Sequence, residues 1–202
     1  MLVGAALSTA GASFQGIFRN PLVSPYILGV GAGAGFGACL AILLWNNYLL
    51  IQLMAFAFGL LAMFLAISMG KASKGTGTLV FVLSGVIVNS IFTALTSLVK
   101  YVADPYDELP AIVFWLMGSL AAVRYGDLLY ILLPMFVGAL VLFLLRCVSI
   151  SCPWEMRKLK PRMNVEKMRL IVIVCATLLT SAAVSISGVI GWVGWSYLIS
   201  QG

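Results

Sequence analysis

Apolar residues do not alternate along this chain; they run on, in six stretches that occupy 1–18, 26–45, 48–70, 78–102, 127–146 and 169–186. A bilayer core of about 30 Å takes roughly 20 apolar residues in a helix, so each stretch predicts a transmembrane helix. A seventh stretch, 110–122, is shorter and predicts a re-entrant or interfacial helix, and an eighth, 188–202, is still apolar at the last residue. The runs are continuous, without a period of two, which excludes an outer-membrane barrel. The pattern therefore predicts an all-α, polytopic helical membrane protein: six full transmembrane helices, a short external or re-entrant helix, and a truncated C-terminal segment.

Composition agrees and narrows the chemistry. Of 202 residues 62% are apolar and 9% charged, far from the roughly 25% charge of a soluble domain, so a soluble enzyme with a water-filled cleft is excluded. The chain has no histidine, which removes histidine-ligated metal, histidine general bases and histidine pH switches. Charge also sets the orientation, because basic residues collect on the cytoplasmic side. With the first span running from outside to inside, the cytoplasmic connections hold Arg19, Lys71, Lys74, Arg146, Arg157, Lys158, Lys160, Arg162, Lys167 and Arg169, and only Lys100 and Arg124 fall outside. Asp104, Asp107, Glu108 and Asp127 then lie externally. The single transmembrane domain covers 1–202, with a cytoplasmic segment at 147–168 inside it. Met1 would sit outside without a basic region before it, and "GWVGWSYLISQG" ends without a charged stop. Both ends read as cuts through a longer membrane protein, and no secretory signal peptide is visible.

Within the spans, a few positions carry information. Gly29, Gly33 and Gly37 recur every fourth residue, interleaved with Gly31 and Gly35, and predict a helix face that a neighbouring backbone approaches closely. Gly4, Ala5, Ser8, Gly11 and Ala12 give the first span a small face, expected to be buried, with Gln15 near its cytoplasmic end. In the fourth span Gly85, Asn89, Thr93, Thr96 or Ser97, and Lys100 step along one face. Polar groups at that depth need partners or water, so this face either hydrogen-bonds other helices or lines a solute pathway at a pore or subunit seam. Pro134 with Gly138 is expected to bend the fifth full span. Between Arg146 and Arg169 stand seven basic and two acidic residues, a net +5, around Pro153 and Pro161. This compact knob is either a positive-inside lipid anchor or a docking surface for a cytoplasmic partner. Cys39, Cys147, Cys152 and Cys175 have no metal-ligand spacing and read as small hydrophobes or reduced thiols. There is no P-loop, intramembrane carboxylate pair or Ser/His or Cys/His set, so no catalytic constellation emerges.

At 4–38, "GAALSTAGASFQGIFRNPLVSPYILGVGAGAGFGA", the chain resembles permeases of the FecCD type, the membrane subunits of ABC importers for iron–siderophore complexes, haem and cobalamin. The matching positions are Gln15, Arg19, Asn20, Pro21, Leu22, Pro25, Leu28, Gly29, Gly33 and Ala34. "LSGVIVNSIFTALTSL" at 83–98, "FWLMGSL" at 114–120 with Trp115, Gly118 and Ser119, "NVEKMRL" at 164–170 and "GVIGWVG" at 188–194 follow in order. The resemblance implies a homodimeric, non-enzymatic transport subunit of the inner or plasma membrane, without cofactor or nucleic acid. Its ATPase would be a separate chain and its solute would come from an extracytoplasmic substrate-binding protein. Asn89, Thr93, Thr96 and Ser97 would flank the pathway at the dimer axis, and 110–122 would be an external helix near its mouth. Glu155, Arg157, Lys158 and Arg162 would belong to the coupling helices on the ATPase. Trp154-Glu155 and Pro161-Arg162 stand where the family carries Gly-Asp and Leu-Gly. The family also has one span before residue 1 and more after "GVIGWVG", so the alternative reading is a transport-incompetent fragment.

Overall fold

The computed structural model describes residues 1–18, 20–72, 78–121, 125–150 and 165–190. They form seven helices: α1 Leu2–Phe18, α2 Val30–Leu44, α3 Tyr48–Ala72, α4 Thr78–Val102, α5 Glu108–Met117, α6 Tyr125–Ile150 and α7 Val165–Ser187. Three helices among the described residues, α3, the Leu79–Val102 part of α4 and the Met168–Ser187 part of α7, are long and apolar enough to cross a membrane. The expected second span is shorter than predicted. Helix α2 starts at Val30 instead of 26, because Pro25 and a left-handed Gly29 (φ 77°) hold the chain out of helix until then. Its 15 residues rise about 22 Å, less than the bilayer core. Helix α6 runs through Pro134 as one element.

Helix α7 is the central post. It packs on α1, α2, α3 and α6, and 72% of its span is buried against 22% for α4. Most hydroxyls of this buried helix are bonded to carbonyls, Thr177 Oγ1 being without a partner. Thr180 donates to the Ala176 carbonyl at 2.9 Å and Ser187 to Ala183 at 2.8 Å, while Ser181 crosses to the Phe56 carbonyl of α3 at 2.9 Å.

The predicted glycine seam exists. A Cβ at Gly33 would lie 2.5 Å from the Phe58 carbonyl oxygen, and one at Gly37 would strike the Met54 carbonyl, so α2 and α3 touch backbone to backbone. Phe36, Phe58 and Phe92 then close the space between α2, α3 and α4, with ring centroids 5.2 to 6.3 Å apart. Geometry of this kind adds about 0.5–1.5 kcal/mol per pair beyond burial. The small face of α1 behaves otherwise than expected. Gly4, Ala5, Ser8 and Ala12 are exposed and only Gly11 of that set is buried; the buried side of α1 otherwise carries Leu7, Ala10, Phe14 and Phe18, and α1 packs on α7. Larger side chains bury more apolar area per contact, and this outweighs the close approach that the small residues permit.

Candidate functional site: a buried loop beside an open polar helix face

The residues between α1 and α2 make a loop that is itself part of the core. Gln15 donates from Nε2 to the Pro21 carbonyl at 2.7 Å, and Asn20 accepts the Leu22 amide at 2.9 Å. Further turns join Ile27 N to the Ser24 carbonyl at 3.1 Å and Gly29 N to the Tyr26 carbonyl at 2.9 Å. Val23, Pro25 and Leu28 are buried. Irregular backbone survives inside a membrane protein only where protein covers it and its polar groups are paired; the inner part of the loop, around Val23, Pro25 and Leu28, is covered, while Asn20, Pro21 and Leu22 stay exposed. The polar and turn residues of the motif are thus the internal partners of a non-helical insertion. Arg19 lies outside the described residues.

The loop presses on α4. A Cβ at Gly85 would collide with the Ile27 carbonyl oxygen and come within 3.0 Å of the Leu28 Cα; one at Gly29 would sit 3.1 Å from the Asn89 amide nitrogen. Two glycines from separate motifs therefore form one crossing point. Immediately beyond it, Asn89, Thr93 and Ser97 stand on the exposed side of α4. The Thr93 hydroxyl donates to the Asn89 carbonyl at 2.7 Å and Ser97 to Thr93 at 3.0 Å. Back-bonding of this kind uses the hydroxyl protons and leaves oxygen lone pairs facing outward. Thr96 departs from the expected set. It is buried, with its hydroxyl on the Phe92 carbonyl at 2.8 Å, because a step of three from Thr93 turns it toward the core while a step of four keeps Ser97 outside. Gly85 likewise faces inward, to the loop.

The "FWLMGSL" stretch ends α5 with one side against the bundle and Phe114, Met117 and Leu120 exposed. Ile112 is fully buried, and Leu116 lies against Gly35 of α2. Gly118 (φ 70°) and Gly188 (φ 69°) let the chain after α5 and the chain after α7 meet, with Ser119 N donating to the Ser187 carbonyl at 2.8 Å. Trp115 is half-buried, and its carbonyl faces Gly188. Tyr26 completes the stitching by donating its hydroxyl to the Ile190 carbonyl at 2.9 Å.

Near the Phe18 end of α1 the structure adds a contact that charge counting missed. The Arg169 guanidinium of α7 lies 5.4 Å from the Phe18 ring of α1 and 5.2 Å from the Phe81 ring of α4. Glu155, Arg157, Lys158 and Arg162 lie outside the described residues. Among the described residues no cluster of His, Cys, Asp or Glu is arranged to hold a metal, and Cys39 and Cys175 are free and buried.

Helices around a central post, joined by a loop folded into the bundle, define an all-helical membrane protein. Comparison with known proteins gives the particular family. The FecCD transport family profile matches residues 1–196, and the chain belongs to that family. It is 36% identical over 195 residues to a Helicobacter pylori iron chelatin transport system permease protein, covering 96% of this chain and 59% of that one. The molybdate import system permease protein MolB of Haemophilus influenzae is 37% identical, covering 96% of this chain and 58% of its own. The cobalamin import system permease protein BtuC of Halobacterium salinarum is 35% identical, covering 95% and 52%. A metal-chelate type ABC transporter solved in an inward-facing conformation superposes with a TM-score of 0.83 at 35% identity, over 99% of this chain and 65% of that chain. The chain thus spans about six-tenths of the length of the first two relatives. It is a multi-pass protein of the cell membrane.

Proposed function

We propose that this chain acts as the permease subunit of an ABC importer, passing a chelated metal such as an iron–siderophore complex, haem or a cobalamin-like solute. The observation that carries the reading is the membership of the family over residues 1–196, joined to the polar face of α4 beside the buried loop. In this reading Asn89, Thr93 and Ser97 line the route of the solute at the seam between two copies. Their exposed oxygens hydrogen-bond water or the polar rim of a chelate, and no metal ligand is needed from the protein because the chelator already fills the metal's coordination. A substrate-binding protein delivers the solute outside, and an ATPase docks on the basic segment 147–168. There Glu155, Arg157, Lys158 and Arg162 make the contact. The test is co-purification. The protein is expected to bring down an ATPase subunit, and Arg157→Glu with Lys158→Glu is expected to abolish the association and the ATP-dependent uptake of a radiolabelled ferric chelate. Unchanged association in the doubly reversed variant would overturn the docking surface. Intact association with no uptake of any chelate offered would overturn the substrate class.

A further inference from the structure

A cavity of about 410 Å³ lies between α3 and α6. Its walls are apolar, with Leu53 and Phe56 from α3 and Leu133 and Pro134 from α6; Gln52 and Ser185 are its polar side chains. Leu53 is 53% and Leu133 74% exposed, so the cavity opens on the flank of the bundle. Gln52 is different. It is only 7% exposed, yet its Nε2 has no hydrogen-bond partner. It also borders a second, smaller space of about 50 Å³ beside Tyr48 and Trp115. Ser181, Ser185 and Ser187 have bonded partners; the buried Thr177 hydroxyl on α7 has none either, but it does not line this cavity, as Gln52 does. A buried amide donor left unpaired is costly, and its place on the wall of an apolar cavity points to an occupant that supplies an acceptor.

Position narrows the occupant. Gln52 is four residues from the Tyr48 end of α3, about 6 Å along the axis. The interfacial zone of a bilayer leaflet is about 5–8 Å deep, so with the Tyr48 end of α3 at the bilayer surface Gln52 would stand where the ester carbonyls of lipids meet their acyl chains. A ligand with an acceptor at that level and a long apolar tail below it matches the amide and the walls together. We propose that this cavity binds one leg of a glycerophospholipid, with the ester carbonyl accepting from Gln52 Nε2 and the acyl chain lying along Leu53, Phe56, Leu133 and Pro134. The proposal does not rest on the transport reading.

Native mass spectrometry of the protein extracted from its membrane in mild detergent tests it. One glycerophospholipid per chain should survive a delipidating wash and, once stripped, return on titration with dioleoylphosphatidylglycerol. Gln52→Leu should weaken that rebinding at least tenfold, and the diether analogue, which lacks the ester carbonyl, should lose as much on the unaltered protein. Leu133→Trp, which narrows the exposed mouth and leaves Gln52 in place, should also lower occupancy and decides the matter if Gln52→Leu does not fold. A protein that retains and rebinds no lipid, because water or protein fills the space, would overturn the proposal. Equal binding of ester and ether lipids, or full binding by Leu133→Trp, would do so too.

Discussion

Gly85 and Gly29 are the pair on which the buried loop depends, and they fail for different reasons when substituted. At Gly85 the backbone is helical, but an added methyl meets the carbonyl oxygen of Ile27 and the Cα of Leu28, which are main-chain atoms and cannot swing aside. At Gly29 the space is merely tight, while the φ of 77° costs an L-residue about 1–2 kcal/mol. Gly85→Ala is therefore expected to destabilise by about 1–3 kcal/mol through overpacking, and Gly29→Ala by about 1–2 kcal/mol through backbone strain. Gly4→Ala is the comparison, since nothing lies within 4 Å of a Cβ there. Thermal unfolding in detergent checks all three. A melting temperature lowered in the first two and unchanged in Gly4→Ala is expected; equal tolerance at Gly85 and Gly4 would show that the loop does not press on α4.

Between helices the same logic joins α1, α4 and α7 through Arg169. A planar guanidinium stacks on the Phe18 and Phe81 rings in a way that a lysine ammonium does not reproduce. A double-mutant cycle of Arg169→Lys with Phe81→Leu should return a coupling of about 0.5–2 kcal/mol. Strict additivity would mean that the ring and the cation do not interact. This contact also shows where the sequence was legible and where it was not. Hydropathy located the helices, and a spacing of four found the Gly33 and Gly37 seam, because both depend on residues near one another in the chain. The end of α2 nearest the loop was misplaced since Tyr26, Ile27 and Leu28 are as apolar as a helix interior, and only the turn at Gly29 stops them. The split of Thr96 from Ser97 and the pairing of Arg169 with Phe18 depend on which helix stands beside which. Periodicity along one helix does not carry that information. The burial of α1 was misread for a related reason, as a small-residue face permits contact without requiring it.

At the scale of the whole molecule, the asymmetry of α4 is the unresolved tension. Its neighbours α2 and α3 cover one side, and only 22% of its span is buried. The open side mixes Asn89, Thr93 and Ser97 with Leu83, Val86, Ile91 and Leu98, all exposed. Lipid tails offer the polar members no partners, and a purely aqueous channel offers the apolar members no burial. In the proposed reading a second copy would meet both demands, with the apolar flanks packed across the seam and the polar stripe facing a wet space between them. Single cysteines test this in a background with Cys39, Cys147, Cys152 and Cys175 replaced. With a short bis-thiol reagent, Ser97→Cys is expected to give cross-linked dimers in membranes. Phe64→Cys, on the exposed side of α3, is expected to give none. Thr93→Trp should fill the space and reduce uptake at least tenfold while leaving the melting temperature within about 1 °C of the parent, because surface substitutions away from packed features usually change stability by under 0.5 kcal/mol. Cross-linking of equal efficiency at Phe64 and Ser97 would place the seam elsewhere. Undiminished uptake by Thr93→Trp would take the solute's route away from this face of α4.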